Sequence, residues 1–370
     1  MASRWCTGGT SLVRTEELDF DLPADRIATT PAVPRDAAKL MVVHIAAESV
    51  EHRLVSNLPE YLTQEDLLVW NDTAVLAARL EGRRARQGDR GGGRVEGLCV
   101  EQRGDDHWLV RLSAGGRLVP GERIELIRDG DTAELELLER EGDSWLVKCS
   151  QAESLEAMLD RCGHTPLPPY IRKARRDRGE DITDDVDRDW YRTWYARDDR
   201  RGSIAAPTAG LHFTPELIQC IEAMSVPQAS VTLHVGEGTF LPVRSETIES
   251  HSMHSERWHV DAESIAVIAQ QSARSGRLVA VGTTTVRVLE SLGANLPVGS
   301  SSGSTNLLIA PGHCFTQVDA MMTNFHLPRS TLLALVGAFM GMDLMRRVYQ
   351  MAIEQEYRFY SYGDAMLLLP

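Results

Sequence analysis

The sequence predicts an α/β main domain, a mixed sheet or partial barrel with flanking helices, carrying an inserted all-β small barrel domain. Two observations carry this expectation. Between about Thr73 and Ser150, short strand runs follow one another across tight turns, while on either side compact apolar runs alternate with helical patterns. The expected division is an α/β catalytic domain over residues 15–72 and 151–370, a barrel over 73–150, and a disordered extension over 1–14.

Leu67-Leu-Val-Trp70 reads as a buried strand after a short helix opened at Pro59. The barrel strands are Arg94 to Glu101, His107 to Leu112, Arg123 to Ile127, Thr132 to Leu138 and Ser144 to Lys148. Turn signals at Gly104-Asp-Asp106, Pro120-Gly121, Asp129-Gly-Asp131 and Gly142-Asp143 separate them. Beyond the barrel, Thr214 caps a helix with Pro215 at its first position. Val231 to Val235 alternates as a strand, and Asp261 caps a helix that ends at Gly276. Leu278 to Val281 is a strand, Gly282 to Thr285 a turn, and Val286 to Leu292 a helix. The Gly/Ser-rich stretch Val298 to Thr305 reads as a surface loop, Leu307 to Ile309 and Ala320 to Met322 as strands, and Ser330 as the cap of a long C-terminal helical region.

Composition bounds the function classes. A chain of 370 residues with 43% hydrophobic and 25% charged content suits a soluble globular protein with ample core. No apolar run is long enough to span a bilayer, and the N-terminus lacks a signal-peptide pattern, so a cytoplasmic location is expected. The six cysteines are scattered without a Cys-x-x-Cys pair, which argues for reduced thiols over a disulfide framework or zinc site. A net charge of −14 disfavours indiscriminate nucleic-acid binding but leaves room for a local basic face. Two clusters offer one: Arg83, Arg84, Arg86, Arg90 and Arg94, and Arg172, Lys173, Arg175, Arg176 and Arg178.

Several blocks mix imidazole, hydroxyl, carboxylate and glycine in a way that a core segment does not need. Ala205 to Thr214 contains Thr208, Gly210 and His212. His234 to Phe240 contains Gly236, Glu237, Gly238 and Thr239, and His251 to Glu256 contains His254. Gly236-Glu-Gly238 lacks the third glycine of a dinucleotide fingerprint and is followed by a segment that does not open a helix cleanly, so a Rossmann site is rejected. The spacing of His251, His254, Glu256 and His259 matches no metalloprotease pattern, so no metal is expected. Gly282-Thr-Thr-Thr-Val-Arg287, with Thr283, Thr284 and Arg287, joins a strand to a helix and suits an anion or a ribose hydroxyl. Asn324 and His326 precede a helix start, and Tyr357 to Asp364 adds aromatic surfaces with Arg358 and Asp364. Aromatics beside amide and carboxylate groups suit a purine.

These blocks, in this order, resemble one family: the S-adenosylmethionine:tRNA ribosyltransferase-isomerases of the queuosine pathway. The resemblance runs from Phe20-Asp-Leu-Pro23 through Arg35-Asp36, Lys39 to Met41, Leu67 to Thr73 and Pro166 to Ile171, then the blocks above, to Tyr357 to Met366. It implies S-adenosylmethionine as co-substrate. The ribosyl group would be transferred and isomerised onto 7-aminomethyl-7-deazaguanine at the tRNA wobble position. Epoxyqueuosine-tRNA would form, with adenine and methionine leaving.

Such chemistry needs proton transfers, and His212, His234, His254, Glu256 and His326 are the expected catalytic groups. Thr208, Gly210, Gly236, Glu237, Gly238, Thr239, Thr283, Thr284, Arg287, Asn324, Arg358 and Asp364 are the expected substrate-binding residues. Segments Arg83 to Gly93 and Ala174 to Asp187 look longer than is usual for the family. Arg172, Lys173, Arg175 and Arg176 are expected to hold tRNA phosphates. A monomer without membrane partners is expected.

Overall fold

The apolar runs flanking the barrel assemble into one nine-stranded mixed sheet. Its order is Ser301–Thr305, Glu256–Val260, Gln228–Leu233, Leu67–Asn71, Leu278–Val281, Ala320–Asn324, Ala365–Leu369, Lys39–His44 and Ser49–Leu54. The four strands from Gln228–Leu233 to Ala320–Asn324 run parallel. The computed structural model describes residues 5–6, 12–85, 92–104, 107–149, 154–236, 238, 243–271 and 275–370.

Alternate side chains of the central strands enter two different cores, as the period of two requires. Leu67, Val69, Leu278 and Ala280 pack with Val286, Leu289, Leu333 and Val348 on one face. Leu68, Trp70, Val279 and Val281 pack with Leu58, Leu217 and Ile221 on the other. Helices therefore cover both faces, which is why these strands read as continuous apolar runs rather than alternating ones.

The inserted module is a closed antiparallel barrel of six strands. Arg79–Arg84, Arg94–Gln102, His107–Ala114, Ser144–Cys149, Asp131–Glu141 and Arg123–Arg128 follow in spatial order, and the last pairs back onto the first. Leu80, Trp108, Val110, Leu126, Leu135 and Val147 fill it, and the helix Leu155–Cys162 plugs one end with Met158 and Leu159. Closure depends on Gly82, which pairs with Leu126; a Cβ there would overlap the Glu125 carbonyl oxygen. Gly82→Ala is expected to cost about 1–3 kcal/mol through overpacking against backbone that cannot yield, read as a lowered urea midpoint. An unchanged midpoint would mean that the closing pair is not tight.

Local signals explain the helix boundaries. Thr214 accepts from Leu217 N–H at 3.1 Å with Pro215 at the first helical position. Ser330 accepts from Leu333 N–H at 3.2 Å. The C-terminal helical region is two helices, Thr331–Met340 and Met342–Glu354, broken at Gly341 with φ 85°.

Four expectations are corrected. Leu307 to Ile309, expected as a strand, is not one: the Leu307 N–H goes to Thr305 Oγ1 and its carbonyl to Arg287. The stretch expected as a loop contains the edge strand Ser301–Thr305, paired with Glu256–Val260. Gly303 makes this possible by leaving room for the Trp258 ring, which a Cβ would meet at 2.8 Å. Within the extension expected to be disordered, Trp5–Cys6 pairs with Cys314–Phe315, and Val13 is buried. Cys314 is disulfide-bonded rather than a reduced thiol, and the strand register sets Cys6 opposite it. Cys99, Cys149, Cys162 and Cys220 are free. Among the described residues no helix is long and apolar enough to cross a membrane.

Candidate active site

The parallel strands end together at Leu233, Asn71, Val281 and Asn324, and the segments leaving them enclose a cleft. A crevice at the carboxyl ends of parallel strands is where α/β sheets place ligands. One wall is Ala205 to Ala209 with Val235; a second is Gly282, Thr283 and Thr284. Thr323 to Leu327 with Ser330 forms a third, and Tyr170, Tyr360 and Ser361 complete the lining. Blocks far apart in the chain thus meet in one place.

Gly282, at φ 90°, turns the chain from strand into the helix Thr283–Leu292. The helix has no side-chain cap, so its first N–H groups and the Thr284 hydroxyl, which has no hydrogen-bond partner, face the cleft side. Asn324 is buried, and its amide donates to His212 Nε2 and to the Tyr360 carbonyl, each at 3.1 Å. Its Oδ1 has no partner. Tyr170 bonds Ser361 through their hydroxyls at 2.6 Å, and its ring lies 4.5 Å from that of Tyr360.

The expected catalytic residues separate sharply. His212 is buried and accepts from Asn324; burial, helped by Arg358 and Arg35, pushes its pKa down to about 3. His326 lines the cleft, bonds Thr323 Oγ1 at 2.9 Å and is pushed to about 3 by burial. His234 pairs with Thr73 Oγ1 at 3.0 Å and is lowered to about 4, chiefly by burial and then by Arg257 and Arg200. Imidazoles this acidic are neutral hydrogen-bond partners near pH 7 in the free protein. Glu256 is likewise committed: it ion-pairs with the buried Arg287 and accepts from Gly236 N–H at 2.8 Å. His254 is exposed, with its ring against Gly238.

Of the expected binding residues, Thr208, Thr283, Thr284 and Asn324 line the cleft. Gly236 and Gly238 sit beside Glu256 and His254. Gly210 packs against the Tyr195 hydroxyl, where a Cβ would overlap it, so it serves packing instead of a ligand. Arg287 holds Glu256 and donates from Nε to the Leu307 carbonyl at 3.1 Å, while its buried Nη2 has no partner. Arg358 and Asp364 pair with each other, 3.4 Å apart. Asp364 also accepts from the backbone N–H of Lys39 and Arg358 at 3.0 and 2.7 Å. Glu237 and Thr239 lie outside the described residues. Tyr170, Tyr360, Ser361 and Ser330 are cleft residues that sequence reasoning missed. Their signal was membership in the Pro166 to Ile171, Tyr357 to Asp364 and Thr323 to Ser330 blocks.

In the basic helix Pro169–Arg178, Lys173 and Arg176 are exposed, and Arg172 bonds Glu96 at 2.9 Å. Arg175 is a correction: it is buried, bonds both Asp187 oxygens at 2.7 and 2.8 Å, and donates to the Thr29 carbonyl. Its position one turn after Ile171 aims it into the protein. Arg84 is held by Glu122, while Arg86 and Arg90 lie outside the described residues. Among the described residues no group of three or more His, Cys, Asp or Glu could hold a metal ion. His259 instead bonds Ser302 and Asp261.

The family model described as "Queuosine biosynthesis protein" matches residues 15–368. A relative from Rhodospirillum rubrum is 46% identical over 96% of this chain and 98% of its own length. One from Chelativorans sp. is 44% identical over 96% of this chain and 99% of its own length. Both carry the name S-adenosylmethionine:tRNA ribosyltransferase-isomerase. Among solved structures, that of the S-adenosylmethionine tRNA ribosyltransferase from Thermotoga maritima is 33% identical, with a TM-score of 0.53. The match covers 95% of this chain and 100% of that one.

Proposed function

The chain belongs to the queuosine biosynthesis protein family, and from that premise we propose that it transfers and isomerises the ribosyl group of S-adenosylmethionine onto 7-aminomethyl-7-deazaguanine at the tRNA wobble position. Epoxyqueuosine-tRNA forms, and adenine and methionine leave. It is a tRNA ribosyltransferase-isomerase of queuosine biosynthesis; the base, its position and the products belong to the proposal, as do a cytoplasmic setting and a monomeric state. The observation that carries it is the cleft into which six separate sequence blocks converge.

The cleft supplies what a sulfonium nucleoside needs. Free N–H groups and hydroxyls at Thr283 and Thr284 suit a ribose hydroxyl or the methionine carboxylate. Tyr170, Phe325 and Tyr360 supply aromatic walls for a base. The sulfonium acidifies the neighbouring ribose C–H bonds, and the acceptor amine must lose its proton before it attacks, so proton carriers are required. His254 is the expected catalytic group left outside buried bonding, and we assign it to this work.

Incubation with S-adenosylmethionine and tRNA bearing the aminomethyl base should release adenine and methionine. Release of S-adenosylhomocysteine would mean methyl transfer, and no turnover would leave a binding protein.

The helix that offers Tyr170 to the cleft offers Lys173 and Arg176 to solvent, three residues apart on one face. We place them against tRNA phosphates. The double variant Lys173→Glu, Arg176→Glu should raise the KM for tRNA roughly tenfold at low salt and flatten its salt dependence, with the KM for S-adenosylmethionine unchanged. An unaltered KM for tRNA would remove this helix from the RNA-binding face.

A further inference from the structure

Asn324 ends the strand Ala320–Asn324 on the floor of the cleft and is 2% exposed. A primary amide has two N–H donors and one carbonyl acceptor. Both donors are spent inside the protein, on His212 Nε2 and on the Tyr360 carbonyl. Turning the amide over would set Oδ1 against the Tyr360 carbonyl, which has no hydrogen to give. His212 could reward the turn only by moving its ring proton to Nε2. The amide is therefore locked with Oδ1 as its one remaining capacity, and that oxygen has no partner. An unpaired buried acceptor is costly, and a protein retains one where a ligand satisfies it.

We propose that Asn324 reads the 6-amino group of adenine, its Oδ1 accepting a hydrogen bond from the exocyclic amine of the bound S-adenosylmethionine. This rests on the reading that the cleft binds that nucleoside. Oδ1 is closed off in the free protein, so an amine reaches it only as the cleft walls part on binding, and it then gains a bond without displacing a hydrating water. The Thr284 hydroxyl on the facing wall is also unpartnered, in line with the ribose end of the same molecule. His212 is then a positioning residue that holds the amide.

A 6-oxo purine would turn an acceptor toward Oδ1, which costs about one to two orders of magnitude in affinity. The test is calorimetric titration of the full-length protein with S-adenosylmethionine and with its inosine counterpart, S-inosylmethionine. The wild type should bind the inosyl compound ten- to a hundredfold more weakly. In Asn324→Ser, shown to be folded by circular dichroism, the two Kd values should fall within about threefold of each other. Equal binding of both compounds by the wild type overturns the role of Asn324 while leaving the nucleoside site intact, and needs no variant to fold. Discrimination that survives in Asn324→Ser also overturns it. Failure to bind S-adenosylmethionine at all would instead overturn the reading on which it rests.

Discussion

Taking the protein from pH 7.5 to pH 5 is expected to cost the fold about 4 kcal/mol through two imidazoles alone. His212 and His326 are buried and held at about 3 in the folded state, against 6.5 for the free side chain. Above pH 6.5 both states are neutral and nothing is lost. Between 6.5 and 3 the unfolded chain takes up protons that the folded chain refuses, so stability falls as the pH falls. At pH 5 that amounts to about 2 kcal/mol for each ring. His234 acts in the same direction, while Asp72 and Asp187, whose carboxyls are raised by burial, act against it as they protonate. Urea unfolding at both pH values reads the difference. His326→Asn should remove roughly half of it, and a profile flat between pH 7.5 and 5 would show that these rings open to water when protonated.

Arg287→Met is expected to destabilise the protein by about 3–5 kcal/mol, because it strands the Glu256 carboxylate in a buried site. The pair joins two parts of the site: Glu256 holds the Gly236 N–H, and Arg287 belongs to the helix whose N-terminus lines the cleft. Removing both charges in Glu256→Gln, Arg287→Met should recover much of the loss, since no unpaired ion then remains. A double-mutant cycle in denaturant measures this. Additive losses would mean that the two side chains do not depend on each other.

The fold was largely legible because its signals are local. Short alternating runs between tight turns announced the barrel, and Thr214-Pro215 and Ser330 announced helix starts through bonds that span three residues. The misses were non-local. Ser301–Thr305 has no apolar pattern and is a strand because Glu256–Val260 offers it an edge. The end-on packing of Leu155–Cys162 against the barrel likewise depends on strands that close far away in sequence.

At the site, the order of the polar blocks was readable along the chain, and so was the kinship they imply. Thr208, Thr283, Thr284, Asn324 and His326 follow from that order and line the cleft. Which polar atoms are already satisfied was decided only by the tertiary structure. Arg287 meets Glu256 across 31 positions, and Asn324 meets His212 across 112. A side chain's free hydrogen-bonding capacity is what its neighbours leave over, and those neighbours come from other strands. The resemblance of the ordered blocks could therefore announce the family, but could not reveal that Asn324 retains one unpaired oxygen while His212 and Glu256 have partners.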